Sequence, residues 1–238
     1  ISPKRLFTGN WKDELWLVAG GIFGGSLYFF TENTALGITQ ASNVSFIICT
    51  APLLTTILSL LFYKSEKASK GLIYGSLLAL MGVGLIVFNG SFVLKISPIG
   101  DLLTLLAALS WAFYSLIIKK MAGRYPTVFI TRKIFFYGVL TILPAFLLHP
   151  LQPDAAVLLQ PGVLFNLLFL AVLASLICYV LWNVVLKQLG TVRASNYIYL
   201  NPLVTMIASS LILDEKITLV ALGGAACIVC GVYWAEKK

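Results

Sequence analysis

The sequence predicts an all-α fold, a polytopic membrane helix bundle, and three observations carry that expectation. Of its 238 residues, 59% are hydrophobic and only 11% charged, with a mean hydropathy of +0.95. A soluble domain carries about a quarter charged residues. The apolar residues also fall into blocks close to the roughly 20 residues that carry a helix across a bilayer. The joints between these blocks are short and leave no room for a soluble domain. With no water in the hydrocarbon core the backbone must satisfy itself, which helices do within one segment. The alternating polarity of a membrane β-barrel is absent from the blocks.

Eight spans follow in order: 15–37, 41–63, 71–91, 102–118, 128–148, 163–186, 194–213 and 217–235. The first contains Gly20-Gly21 and Gly24-Gly25, two overlapping small-residue pairs that suit close helix packing. The second and seventh carry Pro52 and Pro202, each of which removes a backbone donor and frees a carbonyl one turn earlier. Both prolines are expected as helix-kink positions. The third and eighth share a glycine spacing, Gly75 with Gly82 and Gly224 with Gly231. The fourth ends in Lys119-Lys120, and the fifth closes beside His149 and Pro150, where a solvated ring is expected. Arg132 and Lys133, at the start of the fifth, are expected to snorkel to the interface.

The net charge of +8 is distributed by topology. Fifteen of the 17 basic residues fall before the first span, after the second, around the fourth-to-fifth joint, after the sixth or at the chain end; only Lys95 and Lys216 lie opposite. The positive-inside rule then places both ends of this chain in the cytoplasm and the protein in the cytoplasmic (inner) membrane. A nucleic-acid groove would cluster basic and aromatic residues on one face, so no nucleic-acid partner is expected. Cys49, Cys178, Cys227 and Cys230 all lie within spans and read as small packing residues. No metal site and no cofactor is expected. The lipid bilayer and a small-molecule substrate are the expected partners, and the oligomeric state, a homodimer included, is left open.

An internal repeat at an offset of 150 is the most informative feature. Ten of the 29 positions from 33 to 61 are identical to their partners from 183 to 211, among them Asn33/Asn183, Ser45/Ser195, Pro52/Pro202 and Thr55/Thr205. The flanking charge reverses: GITQASN lacks a basic residue where KQLGTVR has two, and KSEKASK has three lysines where DEKIT has one. Pattern kept with charge reversed implies two copies in opposite orientation, so each copy needs an odd number of helices. Five follow Gly100 and three precede it, which implies two further helices upstream, as does an opening residue, Ile1, that is not Met. Inverted repeats belong to secondary transporters, whose halves rock around a midplane site.

Three stretches then resemble a known family: GDLLTLLAALSWAFYSLIIKK, SNYIYLNPLVTMIASSLILDEKITLVALGGAACIVCGVYW, and VSFIICTAPLLTTILSLLFYKSEKASKGLIYGSLLALMGVGLIVF. They resemble the opening helix and the closing helix pairs of EamA-type transporters, in the drug/metabolite transporter superfamily. The resemblance implies ten helices in two inverted five-helix repeats, a central cavity, and transport of small metabolites, often by export. On that pattern residues 1–92 hold helices three to five of the first repeat, and 100–236 hold helices six to ten. The chain departs from the family in lacking the first two helices and in carrying Asn201 where an acidic residue often precedes the helix proline.

Cavity candidates come from both readings. Glu32 is the one carboxylate well within a predicted span, and a charge at depth costs about 2.5–3.5 kcal/mol on insertion scales. It serves either as a protonation switch or as counter-charge for an amine, unless the helix ends early and leaves it at the outer interface. Asn33 and Asn183 are repeat partners suited to a midplane role or to bridging helices. Trp111, Tyr114, Tyr197, Tyr199 and Asn201 can sandwich an apolar or aromatic solute and offer polar tips, or can simply pack.

The expected function is a secondary transporter or facilitator, on balance an exporter, of amino acids or similar amphipathic metabolites, working by alternating access. No GxxxxGK[ST] loop is present to hydrolyse ATP. An intramembrane enzyme or a non-transporting scaffold is the alternative. An enzyme would need a cluster of nucleophile, base or metal ligands that one His and Glu32 do not provide, so no enzymatic activity is expected. A phosphorylated substrate would call for Lys or Arg at the midplane.

Overall fold

The computed structural model describes residues 7–63, 69–88, 97–148, 155–212 and 217–237. His149 and the joint residues Lys64, Lys67, Lys95, Asp214, Glu215 and Lys216 lie outside the described residues. Within the described residues every regular element is helical. The first span is α1 (Trp11–Gly21), a π-helical segment (Ile22–Ser26) and α2 (Leu27–Ile38); the second is α3 (Ala41–Ile48) and α4 (Ala51–Phe62). Then come α5 (Lys70–Phe88), α6 (Pro98–Ala122), α7 (Thr127–Leu148), a short α8 (Ala155–Leu158) and α9 (Pro161–Leu168). A second π segment (Phe169–Ile177) leads into α10 (Cys178–Leu189). The chain ends with α11 (Thr191–Asn196), a 3-10 segment (Tyr197–Leu200), α12 (Asn201–Ile212) and α13 (Leu219–Glu236). Among the described residues, six stretches are long and apolar enough to cross a membrane: Ala41–Phe62, Lys70–Phe88, Pro98–Ala122, Thr127–Ala145, Pro161–Leu189 and Leu219–Glu236. The remaining two expected spans are helical but interrupted, by a π segment in one and a 3-10 segment in the other.

Both prolines stand just after an interruption. Pro52 occupies the first turn of α4, beyond the Cys49–Thr50 turn. Pro202 is the second residue of α12, directly after the 3-10 segment. A proline in a first helical turn gives up an N–H that has no intrahelical acceptor anyway. The break is therefore made before the proline, and Thr50 closes it by donating its hydroxyl to the Ile47 carbonyl at 2.7 Å.

The glycines set the closest contacts. A Cβ on Gly75 would lie 2.4 Å from the Gly231 carbonyl oxygen, and one on Gly231 2.5 Å from that of Gly75. The same holds for Gly82 against Gly224, at 2.5 and 2.7 Å. The lower-numbered glycine of one helix thus meets the higher-numbered glycine of the other, so α5 and α13 cross antiparallel with their backbones touching at two points. In the first span, a Cβ on Gly24 would lie 2.3 Å from the Tyr114 ring, and one on Gly21 2.8 Å from the Gly138 nitrogen. The π segment sits at this contact, and side chains from three other helices bind it. Ser110 donates to the Phe23 carbonyl at 2.8 Å, Tyr179 donates to the Gly24 carbonyl at 2.8 Å, and the Ser26 and Thr141 hydroxyls pair at 2.8 Å.

The start of α1 is tied down by ions. Asp13 accepts from Arg124 at 2.6 Å and from Tyr125 at 2.9 Å, while Glu14 accepts from Lys133, Tyr137 and Thr8. Lys133 therefore does not snorkel: its side chain is only 4% exposed, against 16% for Glu14. The physical reason is that Glu14 and the Tyr137 hydroxyl, one turn further along α7, neutralise the ammonium inside the protein. Breaking a buried pair from one side leaves an uncompensated charge and costs about 3–5 kcal/mol. Lys133→Met is expected to destabilise the protein by that amount in thermal or denaturant unfolding, and a second change, Glu14→Gln, is expected to restore part of the loss.

Candidate functional site

Helical spacing collects a set of aromatic and polar side chains from four helices. On α2, Tyr28 and Glu32 are one turn apart; on α10, Tyr179, Trp182 and Asn183 share a face at i, i+3 and i+4. On α6, Trp111 and Tyr114 do the same, and α7 adds Thr131 and Phe135. These faces converge on Trp111. Its ring centroid lies 5.1 Å from Tyr28, 5.2 Å from Tyr114, 5.7 Å from Tyr179 and 5.8 Å from Trp182. Tyr179 in turn packs against Phe135 at 5.1 Å. The result is an aromatic box with polar groups at two ends.

At one end the Tyr28 hydroxyl donates to Glu32 Oε1 at 3.0 Å. Helix α2 continues to Ile38, so Glu32 lies more than a turn inside the helix and not at its frayed end. At the other end Tyr114 donates to Asn183 Oδ1 at 2.8 Å, and Asn183 Nδ2 donates to the Thr131 hydroxyl at 2.9 Å. Tyr114, Asn183 and Thr131 are all buried, so this chain of hydrogen bonds is sheltered from competition. Between the two ends, the indole nitrogens of Trp111 and Trp182 are buried and have no hydrogen-bond partner among the described residues. A buried donor without an acceptor costs about 1–3 kcal/mol. Two of them on neighbouring rings are a costly arrangement for packing alone.

The structure brings together four of the sequence candidates, Glu32, Trp111, Tyr114 and Asn183, and places the others elsewhere. Asn33 is exposed and donates to the Phe29 carbonyl of its own helix at 2.7 Å, on a different face from Glu32. Its repeat partner Asn183 is buried, so the identity does not carry an equivalent environment. Tyr199 is fully buried, but in a second cluster with Cys49, Ala79, Val83, Ile228 and Val232. Its hydroxyl is near Ser76 without meeting hydrogen-bond geometry. Tyr197 and Asn201, on the 3-10 segment and the start of α12, are exposed. Tyr28, Thr131, Tyr179 and Trp182 were not singled out from the sequence. Helical spacing is a signal for three of them, since Tyr28 lies one turn before Glu32 and Tyr179 and Trp182 share a face with Asn183; Thr131 carries no such signal, because it joins the site only through Asn183, 52 positions away.

Comparison with known proteins bears on the whole chain. Residues 1–88 and 98–235 match the model of the EamA-like transporter family. A Salmonella typhimurium protein named "probable amino-acid metabolite efflux pump" is 27% identical over 245 residues, covering 97% of this chain and 80% of its own. The Escherichia coli protein of the same name is 24% identical over 238 residues, with the same coverage. An uncharacterized transporter of Archaeoglobus fulgidus is 29% identical over 237 residues, 99% of this chain and 80% of its own. A solved crystal structure superposes with a TM-score of 0.78 at 19% identity, covering 93% of this chain and 75% of that one, which is a likeness of fold. Helices that can span a bilayer, a family model matching nearly the whole chain and relatives named as transporters agree: this chain is a multi-pass membrane protein and belongs to the EamA-like transporter family.

Proposed function

We propose that the protein is a secondary carrier or facilitator that exports amino acids or similar amphipathic amines across the cytoplasmic membrane. The observation that carries this reading is the aromatic box, with a carboxylate at one end and two unpaired indole donors within it. An ammonium group is attracted to a carboxylate and to the faces of surrounding aromatic rings, by about 2 kcal/mol or more per ring when desolvated. Glu32 supplies the charge, and Tyr28, Trp111 and Tyr179 supply faces. The indole N–H groups of Trp111 and Trp182 suit the carboxylate of the same solute. The relatives named as amino-acid metabolite efflux pumps support both substrate class and direction.

For mechanism, we read residues 1–92 as part of a first repeat and 100–236 as a second, inverted one. Three observations support this: the reversed charge of the flanking joints, the helix break before each of Pro52 and Pro202, and the reciprocal antiparallel contact of Gly75 and Gly82 with Gly231 and Gly224. Rocking of one repeat against the other would expose the box alternately to each side. The basic joints then face the cytoplasm.

The test is an exchange of donor chemistry at constant shape. Trp111→Phe and Trp182→Phe keep an aromatic ring and remove the N–H. In binding measurements on the full-length protein, each is expected to weaken an amino acid by roughly tenfold to a hundredfold, the worth of a hydrogen bond to a charged group. A simple amine of the same side chain, lacking the carboxylate, is expected to lose far less. Equal losses for both solutes would remove the carboxylate from this site.

A further inference from the structure

Away from the aromatic box, and sharing no residue with it, a cavity of about 470 Å³ lies where α4, α10 and α13 end and α5 and α11 begin. Its volume is in the range of small-molecule sites, about 300–1,000 Å³. Part of the wall is aliphatic, from Leu60, Leu72, Leu189 and Val192, and part carries charge, from Arg193, Glu236 and Lys237. These charges are close but not joined. Arg193 Nε stands 3.9 Å from Glu236 Oε2, an attraction without a hydrogen bond. Glu236 Oε1 is buried and has no hydrogen-bond partner among the described residues. The same is true of the hydroxyl of Thr191, a fully buried residue of the same wall. A polar atom shut away from water without a partner is costly, and more so when it belongs to a charged group. The Arg193 side chain is 45% and that of Glu236 26% exposed, so both charges remain within reach of a solute.

From this arrangement we propose that the cavity is a second solute site, which binds a small zwitterion, an aliphatic α-amino acid. Glu236 takes the ammonium group, the guanidinium of Arg193 takes the carboxylate, and the aliphatic wall takes the side chain. The chemistry fits each part. An ammonium brings three donors to a carboxylate that receives none. A guanidinium presents its donors in a planar fork that matches a carboxylate. A zwitterion laid between the two charges replaces one loose pair by two hydrogen-bonded ones, and charge-assisted bonds are the stronger kind. A solute of single charge answers only half of the site: an amine leaves Arg193 without a partner, and an acid leaves Glu236 without one. The ligand class follows from the cavity's own charges and does not depend on the box around Glu32. That the bound zwitterion is also a transported solute rests on the proposed function.

The test is equilibrium binding of labelled L-leucine to the full-length protein in detergent. Two molecules per chain are expected for the natural protein and one for Glu32→Gln, which disables the box alone. In that background, Arg193→Gln and Glu236→Gln should each weaken the remaining molecule by roughly tenfold to a hundredfold, the worth of a hydrogen bond to a charged group. Val192→Trp, which fills the cavity and keeps both charges, should abolish it. Lys187→Gln, which removes an exposed charge outside the cavity, should leave it unchanged. Leucinamide, without the carboxylate, and 4-methylpentanoate, without the ammonium, should each bind this site at least roughly tenfold more weakly than leucine. If the box is not a substrate site, the natural protein binds one leucine, lost in Arg193→Gln and untouched by Glu32→Gln. Leucine binding in Glu32→Gln that ignores both Arg193→Gln and Glu236→Gln would overturn the proposal. So would binding of phosphatidylethanolamine, whose headgroup carries the same two charges, with none of free leucine.

Discussion

Replacing Gly82 by leucine is expected to force α5 and α13 apart and to leave little folded protein. The added Cβ would lie 2.5 Å from the Gly224 carbonyl oxygen and 2.8 Å from the Ile228 nitrogen, and neither is a side chain that could rotate away. Lipid gives helices no hydrophobic reason to associate, so close backbone packing is what holds such a pair together. Over-packing a tight contact costs about 1–3 kcal/mol, and a clash with backbone stands at or above the top of that range. The loss extends along the crossing, because Gly75 and Gly231 can no longer meet once Gly82 and Gly224 are separated. Thermal unfolding in detergent is the measurement. Gly231→Leu should behave alike, and the two together should cost less than their sum, since they break one interface. Gly223→Leu, one residue from the contact but with no atom within 4 Å of its Cβ, should be neutral.

Glu32→Gln is expected to abolish transport of amines and amino acids while leaving the fold intact. The amide keeps the size of the side chain and can still accept from Tyr28, so the hydrogen bond at 3.0 Å survives. What is lost is the charge. Removing one partner of a desolvated charge pair costs roughly 2–5 kcal/mol, or about thirtyfold to several thousandfold in affinity. A neutral solute of similar shape should be unaffected, because the aromatic faces remain.

Much of this was legible in the sequence, and the parts that were not share a cause. The apolar blocks locate the helices because the bilayer imposes their length, and the glycine pairs are visible because helix crossing repeats at a fixed spacing. Trp111, Tyr114, Asn183 and Glu32 stand out as polar or aromatic residues in apolar surroundings. Tyr28, Tyr179 and Trp182 are marked only by their helical spacing from Glu32 and Asn183, and Thr131 only by adjacency between helices far apart in the chain. Asn33 shows the converse limit: repeat identity aligns positions along two helices but does not fix which face each helix turns inward. Lys133 illustrates it again. Read locally, it belongs with the basic joint beside it, whereas its burial is set by Glu14, 119 positions away. The two π segments are also invisible to a period-based reading, although the Gly20–Gly25 run marks where one of them falls.

The aromatic box around Glu32 is, on this reading, the site where the transported amine binds. The most direct measurement is flux of labelled amino acids by the full-length protein in liposomes, for the natural protein and for Glu32→Gln, each with and without a pH gradient. Saturable flux that disappears in Glu32→Gln is the predicted result, and a dependence on the gradient would add proton exchange at the same carboxylate. Flux of the same solutes at an undiminished rate in Glu32→Gln would contradict the account and move the substrate site away from the box.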